Sequence, residues 1–355
     1  MLKVIVKHFT TLPVNSCYLT GFYRYLPFNR RFYRSHSLLL LKNIAMQTIL
    51  GSGGTIANNI AKELPGYTEK IRLVSRHPKL VNGGEELFPA DLTRKEEVIK
   101  AVEGSEIVYL TAGLPYNSKV WQEQWPRLMQ NVIEACKIHN ARLVFFDNVY
   151  SYGKVNGWMT EETPFNPCSH KGEVRARIAT MLLEEIKKEN LRALIARAAD
   201  FYGPDTNNSF LNAMVFDNLA KDKSAQLMIS KNLRHSLTFT PDAGKATALL
   251  GNNDFAYNQT WHLPIDHNAL TGREIIKIAA ARLEMLPDIK VLPLWMIRMA
   301  SLFNPIIRES LEMMYQYDRD YLFDSTKFDK AFKFDTVSYQ EGITRTLKSR
   351  YGLSS

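Results

Sequence analysis

The sequence predicts an α/β fold, a doubly wound parallel sheet with a smaller C-terminal lobe, and three observations predict it. From Met46 onward short β-rich runs alternate with amphipathic helical stretches. The first of these runs ends in a glycine-rich turn that opens a helix. Beyond Tyr202 the alternation loosens into shorter elements with several prolines and aromatic clusters, as in a lobe that closes over a ligand.

Strands are expected at 47–50, 71–75, 106–112, 142–146 and 193–198. Helices are expected at about 55–64, 94–103, 118–139 and 171–189, each with apolar residues at helical spacing. The chain therefore divides into a leader (1–45), a sheet domain (46–202) and a smaller substrate-binding lobe (203–355) interleaved with it. No internal repeat or low-complexity tract follows residue 46.

Composition sets limits on function. A chain of 355 residues with 45% apolar content can bury a full core. Cys17, Cys136 and Cys168 lie far apart with no C-x-x-C pair or metal spacing, so a disulfide scaffold or zinc site has no support. The late apolar stretch 291–303 is broken by Pro293 and Arg298 and is too short to span a bilayer. A cytoplasmic chain is expected, with no metal, no nucleic acid and no membrane among its partners.

The net charge of +9 is unevenly placed. Residues 1–46 hold Lys3, Lys7, Arg24, Arg30, Arg31, Arg34 and Lys42, and the first acid is Glu63. This leader reads as an upstream start added before Met46, as a targeting segment, or as a basic arm for nucleic acid or anionic lipid.

The turn is Gly51-Ser52-Gly53-Gly54-Thr55-Ile56-Ala57. Gly51 permits the tight bend, Gly54 lets backbone approach a pyrophosphate, and Ala57 keeps the next helix close to the sheet. The free N–H groups and positive end of that helix then face the anion. This is a Rossmann-type dinucleotide site with Gly51, Gly53, Gly54, Thr55 and Ile56 at the phosphates. At the end of the second strand an acid would bind the ribose hydroxyls of NAD(H), but the chain has Ser75-Arg76-His77. Arg76 can pair with a 2′-phosphate, so NADP(H) is expected over NAD(H), unless Arg76 is only a solvated surface residue. Asp91, followed by Leu92, falls where an adenine amino group is met, and serves equally as a helix cap.

On these motifs the sequence resembles the short-chain dehydrogenase/reductases, in their extended and atypical branch of NAD(P)-dependent epimerases, dehydratases and reductases. The resemblance covers nearly everything after residue 46. It rests on Gly51-x-x-Gly54-x-x-Ala57, Ala90-Asp91-Leu92, Leu110-Thr111-Ala112-Gly113 and Tyr152-Gly153. Ile195-Ala196-Arg197-Ala198-Ala199-Asp200-Phe201-Tyr202-Gly203-Pro204, Thr238-Phe239-Thr240-Pro241-Asp242-Ala243 and Glu341-Gly342-Ile343 extend it. It implies that Thr111, Ala112 and Gly113 also line the cofactor, and that the long helix carrying Trp121 and Trp125 pairs in a homodimer.

Two departures bear on chemistry. The family's Ser or Thr that polarises the substrate oxygen falls on Asn148, and its Tyr-x-x-x-Lys falls on Lys171-Gly172-Glu173-Val174-Arg175. Three catalytic candidates result: Asn148 as a hydrogen-bond donor, Lys171 as a proton donor, and Arg175 as a ribose anchor. His170, Tyr150 or Tyr152 are alternative donors, and Lys171 with Arg175 alternatively forms only a cationic clamp. Arg197 and Asp242 read as structural ties. Met313, Met314, Tyr315, Tyr317 and Tyr321 read as lobe core or as the wall of an apolar pocket. The chain is thus expected to be a reductase or epimerase acting on a carbonyl or hydroxyl carbon of an unidentified small molecule. The alternative is a catalytically silent NADP-binding sensor or interaction protein on the same fold.

Overall fold

The sheet strands are β1 (Met46–Leu50), β2 (Ile71–Ser75), β3 (Glu86–Pro89), β4 (Ser105–Leu110), β5 (Arg142–Asn148), β6 (Ala193–Ala198) and β7 (Thr260–His262). They form one parallel sheet in the order β7-β6-β5-β4-β1-β2-β3. The computed structural model describes residues 45–206 and 209–352, so the basic leader lies outside the described residues apart from Ala45.

Alternation along each strand divides the core in two. In β4, Val108 and Leu110 face one way and pack with Val98, Leu128, Val132 and Ile178. Ile107 and Tyr109 face the other way and pack with Ile60, Ala246 and Leu250. The first face is covered by the helices α2 (Lys95–Val102), α3 (Ser118–Ile138) and α4 (His170–Lys187), the second by α1 (Thr55–Glu63) and α5 (Thr240–Gly251). Parallel strands buried on both faces read as continuous apolar runs, which is why β2 and β6 match their expected bounds. Helices α1 and α5 run so close that a Cβ on Gly244 would lie 2.7 Å from the Asn59 carbonyl carbon.

Three differences from the expected elements have physical causes. β3 is a short, largely exposed edge strand ending in Pro89, a residue that an edge tolerates. β5 continues two residues beyond 146, because Asp147 is neutralised inside the sheet by two arginines. α1 stops at Glu63, where a 3₁₀ turn carrying Pro65 runs over Leu64–Gly66.

The later residues contribute three short parallel pairs, Asp200–Tyr202 with Leu237–Phe239, Ala225–Met228 with Ile289–Leu292, and Trp158–Met159 with Leu322–Phe323. With them come α6 (Gly272–Arg282), α7 (Leu294–Ser301), α8 (Pro305–Ser310), α9 (Thr326–Ala331) and α10 (Tyr339–Tyr351). Tyr202, Phe216, Phe239, Ile276 and Ile343 make one core there. Met313, Tyr315 and Tyr321 pack with Val149, Tyr152 and Phe323 in another. Among the described residues no helix is long and apolar enough to cross a membrane.

Candidate functional site

The strand order reverses between β1 and β4, and the Gly51 turn sits at that crevice. Gly51 and Gly53 adopt positive φ of 98° and 95°. The Gly51 and Ser52 N–H groups both donate to Val74 O at 2.9 Å, which fixes the bend. A Cβ on Gly51 would lie 2.5 Å from Ala112 N, so this glycine is required by the neighbouring backbone. A Cβ on Gly53 would meet nothing within 4 Å, and one on Gly54 only Gly51 O at 3.9 Å, so space is open above the loop.

Helix α1 starts at Thr55 with Gly54 as its N-cap, no side-chain cap and no acid in its first turn. Its first N–H groups therefore remain available to an anion. Ser52 Oγ is buried without a hydrogen-bond partner. Thr55 Oγ1 donates to Asp205 O at 2.8 Å, while Ile56 is buried in the core. Thr111 is tied to Leu50 O through its N–H at 2.9 Å, so Ala112 lies against Gly51, with exposed Gly113 next in the chain.

At the end of β2, Arg76 is exposed and Ser75 is its neighbour. Asp91 Oδ1 accepts from Thr93 N–H at 2.9 Å and Thr93 Oγ1 at 2.8 Å, closing a turn just before α2. The Thr93 N–H is the largest influence holding this carboxyl below its usual range, and Arg76 and Arg94 add to it. Buried Leu92 accepts through its carbonyl from Asn131 Nδ2 at 3.1 Å.

Lys171 and Arg175, two of the catalytic candidates, have partners that the sequence did not suggest. Lys171 is fully enclosed. Its Nζ donates to Ser118 Oγ at 2.9 Å and, at 2.8 Å each, to Glu309 O, Glu309 Oε2 and Glu312 Oε1. The Tyr116 ring lies 4.5 Å from the same atom. A buried ammonium must be paired, and these carboxylates come from α8 and the turn that follows it. Glu309 also accepts from Ser118 N–H at 2.8 Å and Asn117 Nδ2 at 3.1 Å. Burial would raise its pKa, but the hydrogen bonds from Lys171 and Ser118 bring it down to about 2.

Arg175 donates to Asp147 Oδ1 through Nε at 2.7 Å, between the rings of Trp125 and Phe145. Arg197 takes Asp147 Oδ2 through its terminal nitrogen at 2.9 Å, and passes a second hydrogen bond to Tyr152 Oη at 2.7 Å. Burial alone would raise the Asp147 pKa, and the two guanidinium groups overcome it and hold the carboxylate ionised. Tyr152 Oη and His262 Nε2 are 2.7 Å apart, and His262 Nδ1 lies 2.8 Å from Asp324 O. A carbonyl only accepts, so the proton is on Nδ1 and Tyr152 donates to Nε2. Asn148 Oδ1 accepts from Tyr150 N–H at 3.1 Å, which leaves its amide NH₂ as a donor.

Sequence reasoning missed one pair. Asp200 Oδ2 lies 2.9 Å from His235 Nε2, and the imidazole stacks on Tyr317 and Tyr321 with ring centres 5.2 and 5.3 Å away. After burial, which comes first, Asp200 helps raise the phenols of Tyr116, Tyr150 and Tyr317, so all four share one neighbourhood. The only available signal was an acid inside the Ala198-to-Pro204 motif. His170, weighed as a donor, is exposed and 3.4 Å from Glu173.

A parallel sheet of this order with a glycine turn at its reversal point defines a Rossmann-type fold. The model of the NAD dependent epimerase/dehydratase family matches residues 48–256, more than half of the chain. The chain belongs to that family. Its fold is shared with UDP-glucose 4-epimerase from Thermus thermophilus, solved with NAD, at 19% identity and TM-score 0.70 over 87% of this chain and 100% of that one. It is shared with dTDP-glucose 4,6-dehydratase from Streptomyces venezuelae, solved with NAD, at 15% identity and TM-score 0.70 (86% and 97% covered). The UDP-N-acetylglucosamine 4-epimerase of Methanobrevibacter ruminantium gives 17% identity and TM-score 0.70 (88% and 99%). No curated protein matches the chain.

Proposed function

We propose that the chain binds NADP(H) in preference to NAD(H) at the Gly51 turn, and that it is a reductase or epimerase acting on a carbonyl or hydroxyl carbon. The observation that carries this is the turn itself: open space over Gly53 and Gly54, an uncapped helix α1, and a buried Ser52 Oγ without a partner. Gly51 to Ile56 would hold the pyrophosphate, Arg76 the 2′-phosphate, Asp91 and Leu92 the adenine side, and Thr111 to Gly113 the adjoining wall. When bound, the nicotinamide supplies or accepts a hydride.

The chain's own residues then divide the remaining work. Asn148 offers its amide NH₂ to the substrate oxygen. Lys171 gives its protons to Ser118, Glu309 and Glu312, so it positions the loop ahead of α3 rather than serving as the acid. The proton is handled by His235, whose partner carboxylate Asp200 orients it. The related epimerases and dehydratases are named for nucleotide sugars, which makes nucleotide sugars the first substrates to try, followed by simple aldehydes and ketones.

The same saturation of Lys171 favours a second reading, a catalytically silent NADP-binding sensor. Purified protein titrated with NADPH and incubated with the substrate panel separates the two. Under the enzyme reading His235→Gln lowers turnover by about a hundredfold while NADPH affinity holds. Turnover that survives in His235→Gln and collapses in Lys171→Met returns the proton to Lys171. Tight NADPH binding without turnover on any substrate leaves the sensor.

A further inference from the structure

The stretch from Lys290 to Arg308 presents a surface that neither the sheet nor the site needs. Helix α7 buries Ile297 against Met228 and Met314. Its outer side and the link to α8 leave Trp295, Met299, Leu302, Phe303 and Ile306 in solvent, with Phe303 85% and Ile306 71% exposed. Such a run of large apolar side chains on one segment is a docking surface rather than scattered surface noise.

We propose that this surface lies on anionic lipid, with the apolar residues of α7 and α8 entering the headgroup region of a bilayer. This departs from the sequence-based expectation of a chain without membrane contact. Charge selects the occupant. Between Ile289 and Arg308 the sequence has no acid, and Lys290, Arg298 and Arg308 are all exposed. Arg308 also ties the end of α7 through Ser301 O at 3.1 Å and Leu302 O at 2.9 Å, which holds the apolar link in shape. Exposed Trp, Phe and Leu beside Lys and Arg is the composition of a helix lying in a membrane interface. A second copy of the chain would set cation against cation.

The test is cosedimentation of the full chain with vesicles of phosphatidylcholine alone, or of phosphatidylcholine mixed with phosphatidylglycerol. Binding is expected to the mixed vesicles, at least fivefold above the neutral ones, and to weaken with salt. The double variant Trp295→Ser, Phe303→Ser should lose that binding at unchanged melting temperature, and Arg298→Glu should weaken it separately. Equal pelleting with both lipids, or binding that neither variant disturbs, overturns the proposal. So does a dimer in sedimentation equilibrium that the double variant dissociates while vesicles capture nothing.

Discussion

Lys171 Nζ and Glu309 Oε2 stand 2.8 Å apart although the two residues are 138 positions apart in the chain. The ammonium has no access to solvent, whereas Glu309 and Glu312 retain 22% and 19% of theirs. Breaking the contact from its two sides therefore has unequal consequences.

Glu309→Gln with Glu312→Gln leaves a buried cation without an anion and should cost about 3–5 kcal/mol. Lys171→Met removes the charge, keeps most of the stem, and leaves carboxylates that can reach water, for about 1–3 kcal/mol. Urea midpoints of the two proteins check the order. Equal losses would show that the ammonium is no harder to strand than its carboxylates, and a negligible loss in the double Gln protein that the carboxylates are dispensable to Lys171.

His262 makes stability depend on pH. Burial first, and then Arg197, push its imidazole well below 6.5. The unfolded chain takes up a proton below 6.5 that the native state refuses. Stability from this group is complete above that pH and falls beneath it, by at most about 1.4 kcal/mol per pH unit. Glu309, held at about 2, adds a separate loss as pH falls through its ordinary 4.5 toward that value. Thermal melts of His262→Gln should show a flatter profile than the unmodified protein between about pH 6.5 and 5. Parallel profiles in that interval would mean the ring is already charged when folded.

The proposed preference for NADP(H) rests on Arg76. NADP(H) should bind at least tenfold more tightly than NAD(H), about 1.4 kcal/mol, and Arg76→Ala should erase most of the difference. Calorimetry on both cofactors measures it, and equal affinities in the unmodified protein would sink the assignment.

The glycine turn distinguishes two substitutions that look alike in sequence. Gly51→Ala meets Ala112 N at 2.5 Å and also needs a positive φ, so a loss above about 2 kcal/mol is expected. Gly53→Ala has the positive φ alone and should cost about 1 kcal/mol. Melting curves of the pair would refute this by ranking them the other way.

The sheet was legible because its strands are apolar and buried on both sides, as β2 and β6 illustrate. β7 escaped notice because three residues, Thr260, Trp261 and His262, carry no periodicity. The end of β5 looked like a loop because its polarity is compensated by Arg175 and Arg197, which pair with Asp147 from 28 and 50 residues away. The glycine turn is local, so its bend and the helix it opens were legible from the residues themselves. The surroundings of Lys171 were not, since Glu309 and Glu312 lie in a segment whose own pattern says only helix and aromatic turn. Asp200 and His235, 35 residues apart, are joined by the pairing of Asp200–Tyr202 with Leu237–Phe239.

The long span between Lys171 and its carboxylates also orders assembly in time. A chain growing from its N-terminus has β1 to β6 and the Asp147 pairs within its first 198 residues. Lys171 must wait for residue 309, and until then its ammonium stays with water. Ribosome-bound chains stopped before that point should keep the lysine open to acylating reagents, and chains stopped after it should protect it. The Lys171 contact therefore closes well after the sheet, with only the strand at Leu322–Phe323, α9 and α10 left to follow it.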